Sequence, residues 1–113
     1  RRGMERTSHL GELEHMVLLA VLRLGDDAYG RSIREELESR VGRRVSRSVA
    51  YVTLERMADK GYLTPRMGEP SPRRGGKAKR FYALTPAGKE ALRESGRALR
   101  ALWAGHEHLL EDA

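Results

Sequence analysis

Residues 46–85 read SRSVAYVTLERMADKGYLTPRMGEPSPRRGGKAKRFYALT, and they carry the strongest local signals of the fold. It begins with a serine, a favoured N-cap, and continues into a helix expected over residues 47–60, which Gly61 ends. Residues that favour extended backbone follow over 62–67 and again over 79–84. The stretch therefore predicts a helix followed by a two-stranded hairpin.

The loop of this hairpin is strongly cationic. Beside the pair Gly75-Gly76 stand five cations: Arg73, Arg74, Lys77, Lys79 and Arg80. Clustered like charges repel one another and lose their hydration when buried, so the tip stays in water. The glycines leave its backbone free to turn. A charged hairpin tip that meets an anion is one interpretation, and a disordered surface loop without a role is the other.

The positive charge of the chain is concentrated in one third of its length. Residues 43–80 carry 11 Lys/Arg against 3 Asp/Glu, whereas the whole chain of 113 residues has a net charge of +6. A field that localised attracts a polyanion to one surface, and nucleic acid is the commonest such partner. An anionic membrane is the competing polyanion, but the basic segment lacks the Trp/Phe/Leu face of an interfacial helix. We therefore expect no membrane partner.

Length and cysteine content narrow the class further. The chain allows one domain with a modest core, and it contains no cysteine, which excludes disulfides and thiolate zinc sites. Its longest apolar run, residues 16–22, is too short to cross a bilayer. The first residues lack the apolar stretch of a secretory signal. We expect a soluble, cytoplasmic protein.

Two helices are predicted ahead of the opening stretch. The first covers residues 10–24, and its second half is apolar nearly all the way round, which indicates that it is covered on more than one side. The second covers residues 29–41 and carries a narrow apolar stripe formed by Ile33, Leu37 and Val41. Both end at a glycine, as helices commonly do.

The third helix, over residues 47–60, has two different faces. At 100° per residue, one side collects the core candidates Val49, Ala50, Thr53, Leu54 and Met57. The other side collects Arg47, Ser48, Tyr51, Val52 and Glu55. A cation, a hydroxyl, an aromatic ring and a β-branched apolar residue are an unusual mixture for a face that meets only water. We expect this side to contact a partner.

The last helix is predicted over residues 86–111, because Thr85 is a good N-cap and proline is tolerated at the first helical position. Its apolar positions approach a seven-residue repeat, with His106 in phase: Leu92, Leu99, Leu102, Trp103, Leu109 and Leu110. At 1.5 Å per residue the helix would be roughly 39 Å long, more than a core of this size can cover. We therefore expect a homodimer in which this helix and the first helix meet their symmetry mates.

The order of these elements defines the expected fold class: mainly α (α+β), a winged helix-turn-helix of three helices and a two-stranded wing, with a long C-terminal dimerisation helix. Residues 10–85 would form the DNA-binding domain and residues 86–113 the dimerisation helix. In such folds the third helix enters the major groove, and the wing lies along the adjacent backbone or minor groove. The cationic tip would then neutralise phosphates of double-stranded DNA.

The chain resembles the PadR-like transcriptional regulators. The resemblance rests on LGELEHMVLLAVLRLGDDAYG (residues 10–30), SVAYVTLERMADKGYL (residues 48–63) and GEPSPRRGGKAKRFYALTPAG (residues 68–88). One departure is Ala50, where many members carry a larger aliphatic residue. The single C-terminal helix resembles the shorter branch of the family. The resemblance implies a dimeric, usually repressing regulator on an inverted-repeat operator, which some relatives release when a small aromatic molecule binds.

The resemblance places the DNA contacts on the recognition helix and the wing. On the helix it implies Arg47, Ser48, Tyr51 and Val52. Arg47 suits either a guanine edge or a phosphate, and Ser48 a base edge or a phosphate. Val52 suits a thymine methyl group, and the Tyr51 hydroxyl is expected on a phosphate.

On the wing, the resemblance implies contacts from residues 73–80. Lys77, Lys79 and Arg80 are expected on phosphates, because nothing in a glycine-rich wing fixes them well enough to read a base edge. Arg73 and Arg74 belong to the same group.

Trp103 suggests an effector site, because a planar aromatic ring at a dimer seam can stack on a flat molecule. Leu99 and His106 would be its neighbours on the same face. Packing within the seam is the commoner role of such a residue, so both interpretations stand.

Catalytic and metal-binding functions find little support. His106 and His108 would point about 200° apart on a helix, so they share no ligand set. Gly76-Lys77 resembles a phosphate loop, but Ser71 and Ala78 occupy the positions that require glycine and a hydroxyl. We expect no enzyme activity, no cofactor and no metal. The alternative to a DNA-binding regulator is a winged-helix RNA-binding or protein-interaction module.

Overall fold

The computed structural model describes residues 10–69 and 78–111 as a winged helix-turn-helix followed by one more helix. The elements are α1 (Glu12–Leu24), α2 (Gly30–Val41), α3 (Arg47–Asp59), β1 (Leu63–Met67), β2 (Arg80–Leu84) and α4 (Pro86–Trp103), with 3₁₀ turns at Gly25–Asp27 and Glu107–Leu110. The predicted fold class is confirmed, and the first three helices and both strands begin and end within two residues of their predicted bounds. Within the described ranges, no helix combines the length and the apolar character needed to span a bilayer.

Both predicted N-caps form. The Ser46 hydroxyl accepts a hydrogen bond from the backbone N–H of Val49 at 3.1 Å, which satisfies one of the unpaired donors at the start of α3. The Thr85 hydroxyl does the same for Gly88 at 3.0 Å, with Pro86 in the first turn of α4. Local sequence therefore fixes where both helices begin.

The wing is attached at its base to the connection between α1 and α2. Strands β1 and β2 pair in antiparallel register from Leu63 opposite Leu84 to Met67 opposite Arg80. On its other side, β2 continues the ladder: the Tyr82 N–H donates to the Ala28 carbonyl at 2.9 Å, and Phe81 bridges Tyr29. This third partner holds the base of the wing against the helical body.

The core lies where α1, α2, α3 and the base of the wing meet. Its largest fully buried side chains are Leu18, Ile33, Leu54, Met57, Val17 and Val21. Leu63, Tyr82 and Leu92 extend the core to the wing and to the first half of α4. Burial of these apolar surfaces provides the main stabilisation of the fold.

Two residues assigned to the core from their helical position are exposed, so those predictions were wrong. Val41 is 54% exposed, because it is the last residue of α2 and lies one turn beyond Leu37, the last buried position. Val49 is 46% exposed, because it lies at the edge of the buried face of α3, about 90° around the helix from the centre of that face. Val41 thus lies beyond the body of the protein, and Val49 lies at the margin of the surface that the body covers.

Helix α4 ends at Trp103, eight residues before its predicted end at position 111. Ala104 leaves helical geometry and Gly105 takes a φ of 87°, which glycine adopts more readily than other residues. The helix is thus about 27 Å long rather than 39 Å. His106 lies outside the helix, and Leu109 and Leu110 lie in the following 3₁₀ turn, so the predicted seam ends at Trp103.

The first half of α4 is held to α1 by a polar contact as well as by Ala91 and Leu92, which are buried. The His15 Nδ1 atom lies 2.6 Å from the Ser95 Oγ atom. Burial lowers the pKa of His15 below its usual value, because an imidazolium loses hydration there. The folded state therefore favours the neutral ring.

This preference predicts a pH dependence of stability. A histidine with a lowered folded-state pKa contributes its full stabilisation above the unfolded value, near pH 6.5, and loses it as the pH falls. Lowering the pH from about 7.5 to about 5.5 should lower the thermal midpoint, and His15→Gln should flatten that dependence. The matched His108→Gln variant should keep the wild-type slope. Equal slopes in all three proteins would contradict the prediction.

Candidate nucleic-acid interface

The outward face of α3 is open to solvent along its first two turns. Arg47, Ser48, Tyr51 and Val52 are all exposed, Tyr51 by 58% and Val52 by 49%. The structure therefore brings together the four recognition-helix residues that the sequence singled out. Their side chains offer charge, hydroxyl and apolar contacts on one surface.

A cleft of about 580 Å³ lies beside this face, between α3, the start of α2 and the base of the wing. Its lining includes five cations: Arg31, Arg34, Arg47, Lys79 and Arg80. None of the described residues that line it is acidic. Such a concave, cationic surface concentrates positive potential where an anion can approach it.

Helix α2 adds its N-terminus to the cleft through Gly30 and Arg31. A helix N-terminus carries a partial positive charge, so an arginine in the first turn is unfavourable unless an anion is bound nearby. Arg31 forms an ion pair with Glu35 at 3.1 Å, but both side chains are well exposed, and such pairs stabilise little. The pair leaves the cleft cationic.

Arg31 and Arg34 are functional candidates that the sequence reading missed. Their signal was present in the sequence: two arginines three residues apart near the start of a helix, with no acidic residue in its first turn. Only the fold shows that this turn faces the wing.

Lys79 is held in place, contrary to the expectation for a glycine-rich wing. Its Nζ atom lies 3.9 Å from the centroid of the Tyr29 ring, a cation–π contact. The Tyr29 ring in turn packs edge-on against Phe81, with centroids 5.4 Å apart. Arg66 covers Phe81 at 4.6 Å. The base of the wing is therefore an ordered aromatic and cationic stack.

Arg80 is also fixed, by a carboxylate on the recognition helix. Its Nε atom donates to Glu55 Oε2 at 2.9 Å and its Nη2 atom to Glu55 Oε1 at 3.3 Å. The Tyr82 hydroxyl donates to the same Glu55 Oε2 at 2.6 Å. The prediction that nothing in the wing fixes Lys79 and Arg80 was wrong. Tyr29 holds Lys79 and Glu55 holds Arg80, and both partners come from other parts of the chain.

These contacts shift the ionisation of all three groups. Hydrogen bonds from Tyr82 and Arg80 hold the pKa of Glu55 below its usual value. Burial and the neighbouring carboxylate raise the pKa of Tyr82 to about 12. Glu55 and Tyr82 together raise the pKa of Arg80. At neutral pH the cluster consists of a carboxylate, a guanidinium and a neutral phenol.

The remaining predicted site residues are those of the wing tip and of the possible effector site, and they lie in different parts of the chain. Arg73, Arg74 and Lys77 lie outside the described residues. Leu99 and Trp103 lie one turn apart on α4, Leu99 half-exposed and Trp103 partly buried. His106 lies beyond the helix end, near His108, with ring centroids 6.3 Å apart. Two of the three proposed effector residues therefore lie on the helix, and His106 lies just beyond its end, where its backbone N–H donates to the Trp103 carbonyl at 2.7 Å.

Solved structures of other proteins share this fold. The crystal structure of a PadR family transcription regulator from Clostridium difficile superposes with a TM-score of 0.71 and 20% identity. The superposition covers 89% of this chain and 100% of that chain. The crystal structure of Bacillus subtilis PadR in complex with operator DNA superposes with a TM-score of 0.63 and 25% identity. That superposition covers 73% of this chain and 46% of the Bacillus subtilis chain.

Sequence comparison gives the family. A transcriptional regulator of Mycobacterium tuberculosis is 39% identical over 77 residues, which are 68% of this chain and 67% of that protein. The transcriptional regulator PadR-like family matches residues 18–94, more than half of the chain. This chain belongs to the PadR-like family of transcriptional regulators.

Proposed function

We propose that this protein is a homodimeric, sequence-specific DNA-binding regulator that inserts α3 into the major groove and lays its wing along the neighbouring backbone. The observation that carries the proposal is the cationic cleft beside the exposed face of α3. A duplex presents phosphates on either side of the groove, so a helix that enters the groove needs cations flanking it. The cleft supplies them on one side of α3.

The open face of α3 suits the major groove. Arg47 lies at the start of the helix and also lines the cleft, so it can reach either a guanine edge or a phosphate. Tyr51 lines the same cleft, which favours a phosphate contact through its hydroxyl. Ser48 and Val52 remain exposed for a base edge and a thymine methyl group.

Dimerisation is supported by apolar side chains that the single chain leaves uncovered. Leu99 and Leu102 on α4 are 50% and 78% exposed, and Leu19 and Leu22 on α1 are 40% and 53% exposed. Contiguous exposed apolar surface commonly marks an interface between proteins. Closure of these surfaces around a twofold axis would present two recognition helices to the two halves of an inverted repeat.

The operator complex of Bacillus subtilis PadR supports DNA as the partner. Repression follows if the bound dimer blocks transcription, and a small aromatic effector near Trp103 would bind at the dimer seam. Such a protein works in the cytoplasm, where its DNA lies. A winged-helix RNA-binding or protein-interaction module would share the fold without a preference for one duplex sequence.

The test separates base reading from phosphate binding. Purified protein should footprint an inverted repeat with half-sites about 34–36 Å apart. Arg47→Ala should relax preference at one base position by roughly 1–3 kcal/mol. Replacing Lys77 and Lys79 by Ala should weaken binding to all duplexes alike and reduce the salt slope by about 0.9 for each phosphate that is no longer neutralised.

Lys89→Ala is the matched control, because Lys89 lies on α4 and does not line the cleft. It removes one positive charge and should leave both preference and slope nearly unchanged. Equal affinity of the wild-type protein for its operator and for random duplex would overturn sequence-specific regulation and favour the alternative module.

A further inference from the structure

Glu55 stands in an unusual place for an acidic residue. It follows Tyr51 by one turn of α3, next to a cleft whose described lining residues include five cations. A carboxylate on this side of a helix that enters DNA would face phosphates and oppose their approach. The structure prevents that repulsion, since the carboxylate accepts hydrogen bonds from two side chains of β2.

The two donors are placed by the strand itself. Arg80 and Tyr82 are two residues apart, so they project from the same face of β2. Arg80 meets both Glu55 oxygens, Tyr82 meets one of them at 2.6 Å, and the Arg80 Nε atom also lies 3.2 Å from the Tyr82 hydroxyl. Each of the three groups contacts the other two. A network closed in this way sets the distance and the angle between recognition helix and wing.

The contacts of Arg80 with Glu55 and Tyr82 also limit its ability to bind phosphate. The Arg80 side chain is 39% exposed and the Glu55 side chain is 26% exposed. A bidentate carboxylate partner neutralises the guanidinium and holds it in one orientation. Arg80 therefore contributes less to phosphate binding than its position in the cleft suggests.

We propose that Glu55 is a positioning residue that determines specificity: it locks β2 onto α3 and withholds Arg80 from the DNA backbone, so that binding depends more on base contacts. This inference rests on the proposed DNA-binding function. Specificity is a ratio of affinities: a cation withheld from phosphate lowers binding to every sequence alike, so the ratio itself depends on the base contacts that α3 makes. The fixed helix angle keeps those base contacts in register.

The experiment measures affinity for operator and for random duplex across a salt series. Glu55→Gln removes the charge that holds Arg80 and keeps the shape of the side chain. The variant should bind random duplex more tightly, with a salt slope steeper by about 0.9 as Arg80 reaches a phosphate. The operator-to-random ratio should fall about tenfold, the discrimination that one good base contact supplies. A residue with only a structural role would weaken binding without steepening the slope.

Glu90→Gln is the matched control. It makes the same change of charge on α4, where Glu90 pairs with Arg93, and it should leave the ratio and the slope as in the wild type. An equal rise in random-duplex affinity in both variants would show a general charge effect and would overturn the inference.

If Glu55→Gln fails to fold, Arg80→Gln provides a second test of the role of Glu55. With Arg80 withheld from phosphate, its loss should leave the wild-type salt slope unchanged. A slope shallower by about 0.9 would show that Arg80 already contacts a phosphate and would overturn the proposed role of Glu55. A wild-type protein that binds no duplex would instead overturn the DNA-binding function itself, so the two failures are distinct.

Discussion

Replacing Leu99 and Leu102 by lysine should lower operator affinity by roughly 10²–10⁴-fold, because the two linked half-site contacts of the proposed dimer would become two independent ones. Both leucines lie in the second half of α4, 50% and 78% exposed in the single chain. Lysine is well hydrated there in a monomer, but in a symmetric interface each charge would be desolvated. The variant should therefore fold and fail to dimerise, which sedimentation equilibrium and fluorescence anisotropy with labelled operator will show.

The added charge makes this prediction stringent. Two more cations should strengthen attraction to DNA by themselves, so a loss of affinity has to come from the assembly. The matched control combines Ala101→Lys with Glu90→Gln, which also raises the net charge by two, at positions that lie about 100° or more around α4 from either leucine. The control should remain dimeric and bind as the wild type does. A dimer that survives both leucine substitutions would show that α4 does not form the interface.

Gly88→Ala should destabilise the fold by about 3 kcal/mol, at the upper end of the usual cost of overpacking. A Cβ atom at position 88 would overlap the backbone carbonyl of Tyr62 and lie 3.0 Å from the Leu84 Cδ2 atom. The Tyr62 carbonyl accepts a hydrogen bond from the Thr85 N–H at 3.1 Å, so it is not free to move aside. The start of α4 would have to lift away from β1.

The comparison variant is Gly30→Ala, in the first turn of α2. Nothing lies within 4 Å of a Cβ atom built there, and alanine is the better helix former by up to about 1 kcal/mol. Urea unfolding at equal protomer concentration should give opposite signs for the two substitutions, since stability of a dimer depends on concentration. A neutral Gly88→Ala would mean that α4 does not pack tightly against the end of α3 and the wing.

The sequence predicted the elements whose signals are local. Ser46 and Thr85 fixed the starts of α3 and α4, because a cap is an interaction within four residues. Apolar spacing placed Ile33, Leu37 and Leu54 in the core, because helical phase depends only on the residues of one helix. The same phase grouped Arg47, Ser48, Tyr51 and Val52 on one exposed face.

The misplaced predictions share a physical cause. Val41 is in phase with Leu37, and Val49 lies at the edge of the buried face of α3; burial at such positions depends on how far neighbouring elements extend along and around the helix. The last helix was predicted to have 26 residues and has 18, because the chain leaves helical geometry at Ala104 and Gly105. A seven-residue apolar repeat does not reveal that Gly105 takes a positive φ. Periodicity describes the face of a helix, and backbone geometry decides its length.

Three properties followed from the sequence alone: the winged helix-turn-helix architecture, the face of α3 that meets solvent and the region of the chain that carries the positive charge. Caps, periodicity and charge are properties of neighbouring residues, so a sequence contains them. The packing of the elements determined which of the described cations are held by other residues. It placed Glu55 against Arg80, 25 residues away in the chain, and Lys79 against Tyr29. Contacts between distant residues depend on how the elements pack, and a pattern within one element does not contain that information.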